Sequence, residues 1–311
     1  MILRYRKLHQ NKHVFKAMTG LYVAEFDELV QDVLPSYGEA EEKRLNRANR
    51  QRAIGGGPDF ELEVRDQILA TVIWLRKYPT YEVLGYLFGT SDTTIGRYLS
   101  RILPLLEAAG RDTMRMPDPG RKRRRHLDDL LKETPELAVI IDTFEQAVQR
   151  PQSRTEADRY YSGKKKRHTL KSQIAIDEQS GQIVEIAPST YGPTADLTLL
   201  KDSGLLSRLP AGVGAIGDLA YVGLDKLQPG VAGATPRRKP RGQPRPAEDV
   251  AFNTAFSRRR IEVEHTIGRV RRYEALAQTD RHHRTRHTAR VVAVAGLVNR
   301  QIRHRLPGLV G

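Results

Sequence analysis

The sequence predicts two parts of different class. An all-α region with a helix-turn-helix comes first, and an α/β region built on a mixed sheet with flanking helices follows. Three observations carry this. Before residue 104 the apolar residues recur at helical spacing. After Pro135 a continuous apolar run, Leu137 to Ile141, has the look of a strand buried on both faces. Beyond it, period-two segments and helical segments follow one another, which is the order of a mixed α/β sheet.

Bulk properties narrow the partners. The chain has 311 residues, room for two domains and a sizeable core. Its net charge of +15 and pI near 10.0 point to a polyanion, with nucleic acid first and a membrane surface as the rival. The apolar run Val291 to Val298 is too short to span a bilayer. The opening MILRYRKLHQNKH lacks the apolar core of a secretory signal. Without cysteine, disulfides and thiolate metal sites are excluded, which fits an intracellular protein.

Residues 14 to 35 read as a helix beginning after Thr19 and Gly20, with Phe26, Leu29, Val30 and Val33 on one face and Pro35 as its stop. Tyr37 to Pro58, ending in Gly55-Gly56-Gly57-Pro58, reads as a loop. A second helix spans Glu61 to Tyr78 through Val64, Ile68, Leu69, Val72, Ile73 and Leu75. In residues 79 to 104, Thr80 caps a short helix, Gly89 ends it, and Ser91 caps the next, which runs to Pro104. Leu84, Leu87, Ile95, Leu99 and Ile102 form the buried side of this helix-turn-helix. Asp92, Thr93, Thr94, Arg97 and Arg101 are left outward on the second helix, where a recognition helix reaches base edges. An ordinary helical hairpin is the alternative. Residues 111–134 read as an interdomain linker with a basic run, Arg121 to Arg125.

The strand from Leu137 ends in an acid, Asp142. Thr169 to Asp177 and Gln182 to Ala187 alternate around the turn Glu178 to Gly181 and form a hairpin. Thr194 to Leu206 is a short helix. Gly212 to Gly217 is a small-residue strand ending in a second acid, Asp218, and a short strand lies near Ala232 to Thr235. After a Pro/Arg-rich loop, residues 257–276 form a strongly basic helix with Ile261, Ile267, Val270 and Leu276 at roughly helical spacing. Glu262 and Glu264 stand amid Arg258, Arg259, Arg260, Arg269, Arg271 and Arg272. Either they pair with those arginines on a solvated helix, or one of them holds a cation while the arginines hold phosphate. Asp142, Asp218 and a helix glutamate would suit a pair of Mg²⁺ ions about 4 Å apart.

The residues quoted above, together with MTGLYVAEFDELV, RAIGGGPDFELE, VIIDTFEQAVQRP, RYYSGKKKRHTLKSQIAID, ADLTLLKDSGLL, GDLAYVGL and RRRIEVEHTIGRVRRY, cover nearly the whole chain. In them the chain resembles the DDE transposases of bacterial insertion sequences, in the group named for insertion sequence five and related to the eukaryotic Harbinger transposases. The resemblance implies an α/β RNase H-like catalytic domain over 135–311, with basic C-terminal helices, preceded by a helical DNA-binding domain over 1–110. It places the catalytic and metal-holding acids on Asp142, Asp218 and Glu264, through the arginine, glutamate, basic pattern of Arg260, Glu264 and Arg271. Glu262 has the same spacing to Arg258 and Arg269 and is the runner-up. Arg260 and Arg271 would contact phosphate, as would Lys164, Lys165, Lys166 and Arg167 at the mouth of the site. The implied reaction is hydrolysis of a phosphodiester at the ends of the element, then joining of the freed 3′-hydroxyl to target DNA, with two Mg²⁺ ions for which Mn²⁺ substitutes. The implied partners are double-stranded DNA and further copies of the chain, at least a dimer on DNA, with no membrane. The setting is the bacterial cytoplasm at the nucleoid.

Thr143-Phe144 stands where the family often has Gly-Thr, and Ala195-Asp196 where it often has His-Asp. Asp196 is therefore expected to cap a helix or support the site from behind. His282, His283 and His287 are expected to be exposed or to contact phosphate. Two other readings stay open: a catalytically silent or domesticated DNA-binding protein, and a metal-dependent endonuclease that cuts without joining.

Overall fold

The structure is a computed structural model and describes residues 3–46, 60–120 and 127–306. The Gly55–Pro58 loop and the basic run Arg121–Arg125 lie outside the described residues. In the first part, α1 (Tyr5–Leu8), α2 (Lys12–Thr19), α3 (Val23–Leu45), α4 (Val64–Lys77), α5 (Tyr81–Phe88) and α6 (Asp92–Arg111) form a helical assembly. The helix-turn-helix is made of α5 and α6, and its punctuation is where the sequence places it. The Thr80 side chain accepts a hydrogen bond from the Val83 N–H, and the Ser91 hydroxyl accepts one from the Thr94 N–H. Gly89 ends α5 at φ +65°, a conformation that costs a residue with a Cβ more than glycine.

Two helices outrun the stops expected for them. Pro35 lies inside α3 and Pro104 inside α6. An internal proline costs roughly 3 kcal/mol, so something beyond each must offset it. In α3 the last turns bury Tyr37 and bring Glu41 against Arg101. In α6 they bury Leu106, Ala109 and Gly110. Tertiary packing overrides the local signal in both.

The second part opens with β1 (Leu137–Ala147), α7 (Arg154–Tyr160), β2 (Tyr161–Ser162), β3 (Arg167–Asp177), β4 (Ile183–Ile186) and β5 (Thr190–Tyr191). It continues with α8 (Asp196–Ser203), β6 (Val213–Ile216), β7 (Gly233–Ala234), α9 (Ala247–Arg271), α10 (Glu274–Ala277) and α11 (His287–Arg305). The sheet order is β2-β3-β1-β6-β7, with β4 and β5 also paired to β3. β1 and β3 are antiparallel, while β1, β6 and β7 run parallel. β1 does not end at Asp142 as the sequence suggests. Its antiparallel register with β3 continues to Ala147 opposite Thr169, whereas its parallel register with β6 stops at Ile140 opposite Ile216. Asp142 therefore sits two residues beyond the end of the parallel pair, and Asp218 two residues beyond the end of β6.

Alternation along β1 divides the core. Ala138, Ile140 and Phe144 pack with Phe256, Val263 and Val294 from α9 and α11, while Val139 and Ile141 pack with Leu200, Leu205 and Tyr221 on the other face. The first cluster is continuous with the helical region, from Phe15 and Phe26 to Ile95 and Leu99. The link is α11, buried along nearly its whole length from Val291 to Ile302. It crosses α6 at a glycine pair: a Cβ on Gly296 would lie 2.4 Å from the Gly110 Cα, so only a residue without one lets the helices meet there. Buried Asn299 on α11 accepts from the Ile183 N–H and donates to the Ile183 carbonyl, both at 2.8 Å. It thereby satisfies backbone groups of β4 that would otherwise be orphaned.

Candidate active site

Asp142 is half-buried on the face of β1 that α9 covers. Its Oδ1 accepts from the Thr143 N–H at 2.7 Å, and Arg260 of α9 reaches its Oδ2 at 3.4 Å. Burial pushes the Asp142 acid up to about 6; the Thr143 hydrogen bond and Arg260 pull it down, while Asp218 and Asp196 push it further up. Asp218 is partly exposed, and its Oδ1 accepts from the Ala220 N–H at 2.9 Å at the start of a short 3-10 turn. Tyr221 from that turn is fully buried, and its phenol is held in the neutral form first by burial and then by Asp196, Asp142 and Asp218. Three aspartates thus crowd one corner of the sheet, a concentration of negative charge that would be costly without cationic partners.

One aspartate already has such a partner. Lys171 of β3, itself buried, donates to Asp196 Oδ1 at 2.7 Å and to the Thr194 carbonyl at 2.6 Å. Asp196 opens α8 but makes no capping hydrogen bond, so its expected capping role is replaced by this ion pair. In the sequence Lys171 stands out only as the one cation between Thr169 and Asp177. The same strand carries Thr169, whose hydroxyl donates to Glu145 Oε2 at 2.6 Å.

Along α9, Arg260, Glu264, Ile267 and Arg271 fall on one stripe at spacings of four, three and four. Both ends of that stripe reach β1: Arg260 at Asp142, and Arg271, donating to the Glu145 carbonyl at 3.1 Å, with its guanidinium 6.0 Å from the centre of the Phe144 ring. Glu264 is exposed between them, one turn after Arg260. Glu262 turns elsewhere, accepting from Arg269 at 3.1 Å and lying against Gly181 in the β3–β4 turn. The stripe buried by α9 is Phe252, Ala255, Phe256, Val263 and Val270, while Ile261 is 47% exposed. The apolar spacing expected through Ile261 is thus corrected, because Arg259 takes up the inward position instead. Buried Arg259 donates twice to Glu178, at 2.6 Å each, and to Thr134 Oγ1 at 2.6 Å. It is a structural strut, not part of the positive surface. Phe144 is buried, so its bulk packs in the core beside Asp142.

The remaining basic residues disperse. Lys164, Lys165, Lys166 and Arg167 are exposed around the β2–β3 turn. Lys166 is eight residues from Ile174, the partner of Asp142, a distance of about 27 Å along a strand. The cluster is therefore distant along the strand and not at the mouth of the aspartate site. On α6, Thr93 and Arg97 are exposed, and Thr94 is half-exposed and accepts at its hydroxyl from Ser91. Arg101 differs from the outward position expected of it. Its Nε pairs with Glu41 at 3.1 Å and its guanidinium sits over the Phe60 ring, so its side chain is engaged within the helical region.

Of the three histidines, His283 is exposed as expected, His282 is half-buried, and His287 departs from expectation. His287 is fully buried, with Nε2 2.8 Å from Gln146 Oε1 and Nδ1 2.7 Å from Ser189 Oγ. Because the Gln146 amide nitrogen donates to the Ala275 and Gln278 carbonyls, its oxygen accepts, and neutral His287 carries its proton on Nε2. Burial, then Arg290, holds the His287 pKa down to about 3. An unfolded chain, with a histidine near 6.5, takes up this proton first, so stability should fall as pH drops from about 6.5 toward 3. The urea midpoint of wild type should drop more between pH 7 and 4.5 than that of His287→Gln; equal drops would remove His287 as the cause.

Among the described residues, no three Asp, Glu, His or Cys side chains are close enough to hold a metal ion together. The donors nonetheless suit a hard divalent cation: Asp142 and Asp218 present carboxylate oxygens at one corner, where Arg260 stands 3.4 Å from Asp142. Among the described residues, no helix is long and apolar enough to cross a membrane.

A partly desolvated aspartate pair at the end of a parallel strand pair, faced by a basic helix and joined through a shared core to a helix-turn-helix, defines a carboxylate-centred, DNA-directed class of protein. The chain belongs to the DDE superfamily endonucleases, whose family model matches residues 141–299. A second model, described as the helix-turn-helix of the DDE superfamily endonucleases, matches residues 60–112. A curated relative from Microchaete diplosiphon bears the name "Probable transposase for insertion sequence element IS702". It is 28% identical over 290 residues, covering 93% of this chain and 94% of the relative.

Proposed function

We propose that the protein is a transposase that binds the terminal inverted repeats of an insertion sequence, hydrolyses phosphodiester bonds at the element ends and joins the 3′-hydroxyl to target DNA. The observation that carries this reading is the stripe of α9, on which Arg260 and Arg271 reach β1 at Asp142 and Glu145 with Glu264 between them. The antiparallel β1–β3 pair beside parallel β6 and β7 supports an RNase H-like arrangement of this domain. Asp142, Asp218 and Glu264 would hold two Mg²⁺ ions, or Mn²⁺ in their place. When bound, such ions activate the attacking oxygen and stabilise the leaving one.

The chain's own residues do the rest. Arg260, half-buried beside Asp142, exchanges that carboxylate for a phosphate oxygen and fixes the scissile group against the sheet. Arg271 holds a neighbouring phosphate, and Lys171 keeps Asp196 neutralised so that its charge does not repel the DNA. Thr93, Thr94 and Arg97 contact base edges or backbone from α6, while Lys164, Lys165, Lys166 and Arg167 engage flanking DNA, making affinity strongly salt-dependent. Holding two ends together requires at least a dimer on DNA, and such a protein works in the bacterial cytoplasm at the nucleoid.

The test is a strand-transfer assay with labelled DNA carrying the inverted repeats that flank the gene, a supercoiled target, and Mg²⁺ or Mn²⁺. Joined product should vanish in Glu264→Gln and persist in Glu262→Gln. Loss in Glu262→Gln alone would reverse the assignment. Cutting without joining in wild type would favour an endonuclease, and binding without either would favour a silent DNA-binding protein.

A further inference from the structure

A cavity of about 410 Å³ lies between the helical region and the segment that leads into α11. It is lined by Trp74 of α4, Tyr81 of α5 and Ser100 of α6, and by His282, Arg286 and Arg290. Its volume is in the range of small-ligand sites, about 300–1,000 Å³. We propose that it accepts one unstacked nucleobase of bound DNA; this rests on the DNA-binding reading above and adds a site to it.

Three features of the lining point to that ligand. First, Tyr81 and His282 are stacked at 5.4 Å between ring centres and 25° between planes, and Trp74 stands 4.9 Å from His282. Burial, followed by Arg290, lowers the pKa of His282, which favours the neutral ring. Flat aromatic walls take any base, because every base has a π-face. Second, the lining presents accessible polar groups, the Ser100 and Thr285 hydroxyls and the Arg286 guanidinium, all on exposed residues. The edge of a nucleobase offers both donors and acceptors to such groups. Third, the rim is cationic and continuous with the DNA-reading face. Arg286 is exposed and donates to Ser100 Oγ at 3.1 Å, and Ser100 follows Thr93 and Arg97 on the exposed stripe of α6, at spacings of four and three. A strand followed along α6 from Arg97 meets the cavity one turn on, with Arg286 placed for its phosphate.

The chain has a single tryptophan, so Trp74 emission reports on this cavity alone. Wild-type protein would be titrated with a labelled duplex carrying the inverted repeat. The label's anisotropy follows DNA binding, and Trp74 emission follows the cavity. A series of duplexes with one abasic position each, and free dAMP, dCMP, dGMP and dTMP, complete the set. The expected result is that bound duplex quenches Trp74, that one abasic position restores the emission while binding persists, and that free nucleotides quench only at far higher concentration. Tyr81→Leu, checked for folding by circular dichroism, should weaken quenching about tenfold, within the range contributed by one base–aromatic stack. Should that variant not fold, the abasic series decides alone. DNA that binds with Trp74 emission unchanged, or quenching indifferent to every abasic position, overturns the proposal, as water then fills the cavity or the quenching arises elsewhere. Quenching by free nucleotides as strong as by DNA also overturns it, in favour of a small-nucleotide site. Absence of any DNA binding overturns the DNA reading, and this proposal with it.

Discussion

Asp142→Asn and Asp218→Asn should each lower DNA cleavage by about 10³-fold or more while the protein stays folded and bound to its DNA. The size follows from the charge stabilisation that a carboxylate-held cation supplies, several kcal/mol at 1.36 kcal/mol per decade. Retention of the fold follows from the local hydrogen bonds. Asp142 Oδ1 accepts from the Thr143 N–H and Asp218 Oδ1 from the Ala220 N–H, and an asparagine carbonyl accepts equally well in the same place. Each substitution also removes one charge from a corner where Asp142, Asp196 and Asp218 repel one another, so the melting temperature should hold or rise. On the proposed reading, binding rests on α6 and on Arg271, which neither substitution touches, so the anisotropy of a labelled repeat should change little. Cleavage within tenfold of wild type would remove the mutated aspartate from the chemistry. Loss of binding together with cleavage would make it a structural residue.

The features legible in the sequence were those fixed by local chemistry. Thr80, Gly89 and Ser91 mark the helix-turn-helix because caps and a left-handed glycine act within one turn of chain. The β3–β4 hairpin and the short strand before Asp218 were legible because alternation and turn residues are equally local. What misled was decided at a distance. Pro35 and Pro104 look like stops, yet the helices continue because their later turns bury side chains against remote elements. β1 passes Asp142 because β3, paired beside it, is long enough to carry it to Ala147.

The partners of individual charges are set at the same long range. Arg101 and Arg259 look like surface cations, but Glu41 and Glu178 lie 60 and 81 residues away in the chain, and no spacing rule links them. The choice between Glu262 and Glu264 shows the opposite case. Two residues apart on a helix, they have different neighbours: the stripe that carries Glu264 reaches β1 at Asp142 and Glu145 through Arg260 and Arg271, while Glu262 pairs with Arg269. The role of α11 left the faintest trace. Its apolar run excluded a membrane span, but nothing local says that Gly296 meets Gly110 or that one core joins both halves.

That shared core makes Asp280→Asn the substitution most damaging to the fold, with an expected loss of about 3–5 kcal/mol out of the 5–15 typical of a domain. Asp280 and Arg290 are each 1% exposed and form an ion pair. Asp280 also accepts from the His282 N–H at 3.0 Å and from the Tyr78 hydroxyl at 3.3 Å, and its own N–H donates to the Ala147 carbonyl at 2.8 Å. One residue therefore ties three elements together: its backbone holds the end of β1, and its carboxylate holds the end of α4 and the start of α11. Asparagine keeps the shape and one acceptor but leaves the Arg290 charge buried and uncompensated, with its Nε already unpartnered. Removing both charges should repair much of the damage, since a buried ion pair is often replaceable by apolar groups of similar volume. Urea unfolding of Asp280→Asn, Arg290→Met and the double variant tests this, with the double variant expected to be more stable than Asp280→Asn alone. A double variant as unstable as the sum of the two single losses would show that the cost lies in the hydrogen bonds to Tyr78 and His282, and not in the stranded guanidinium.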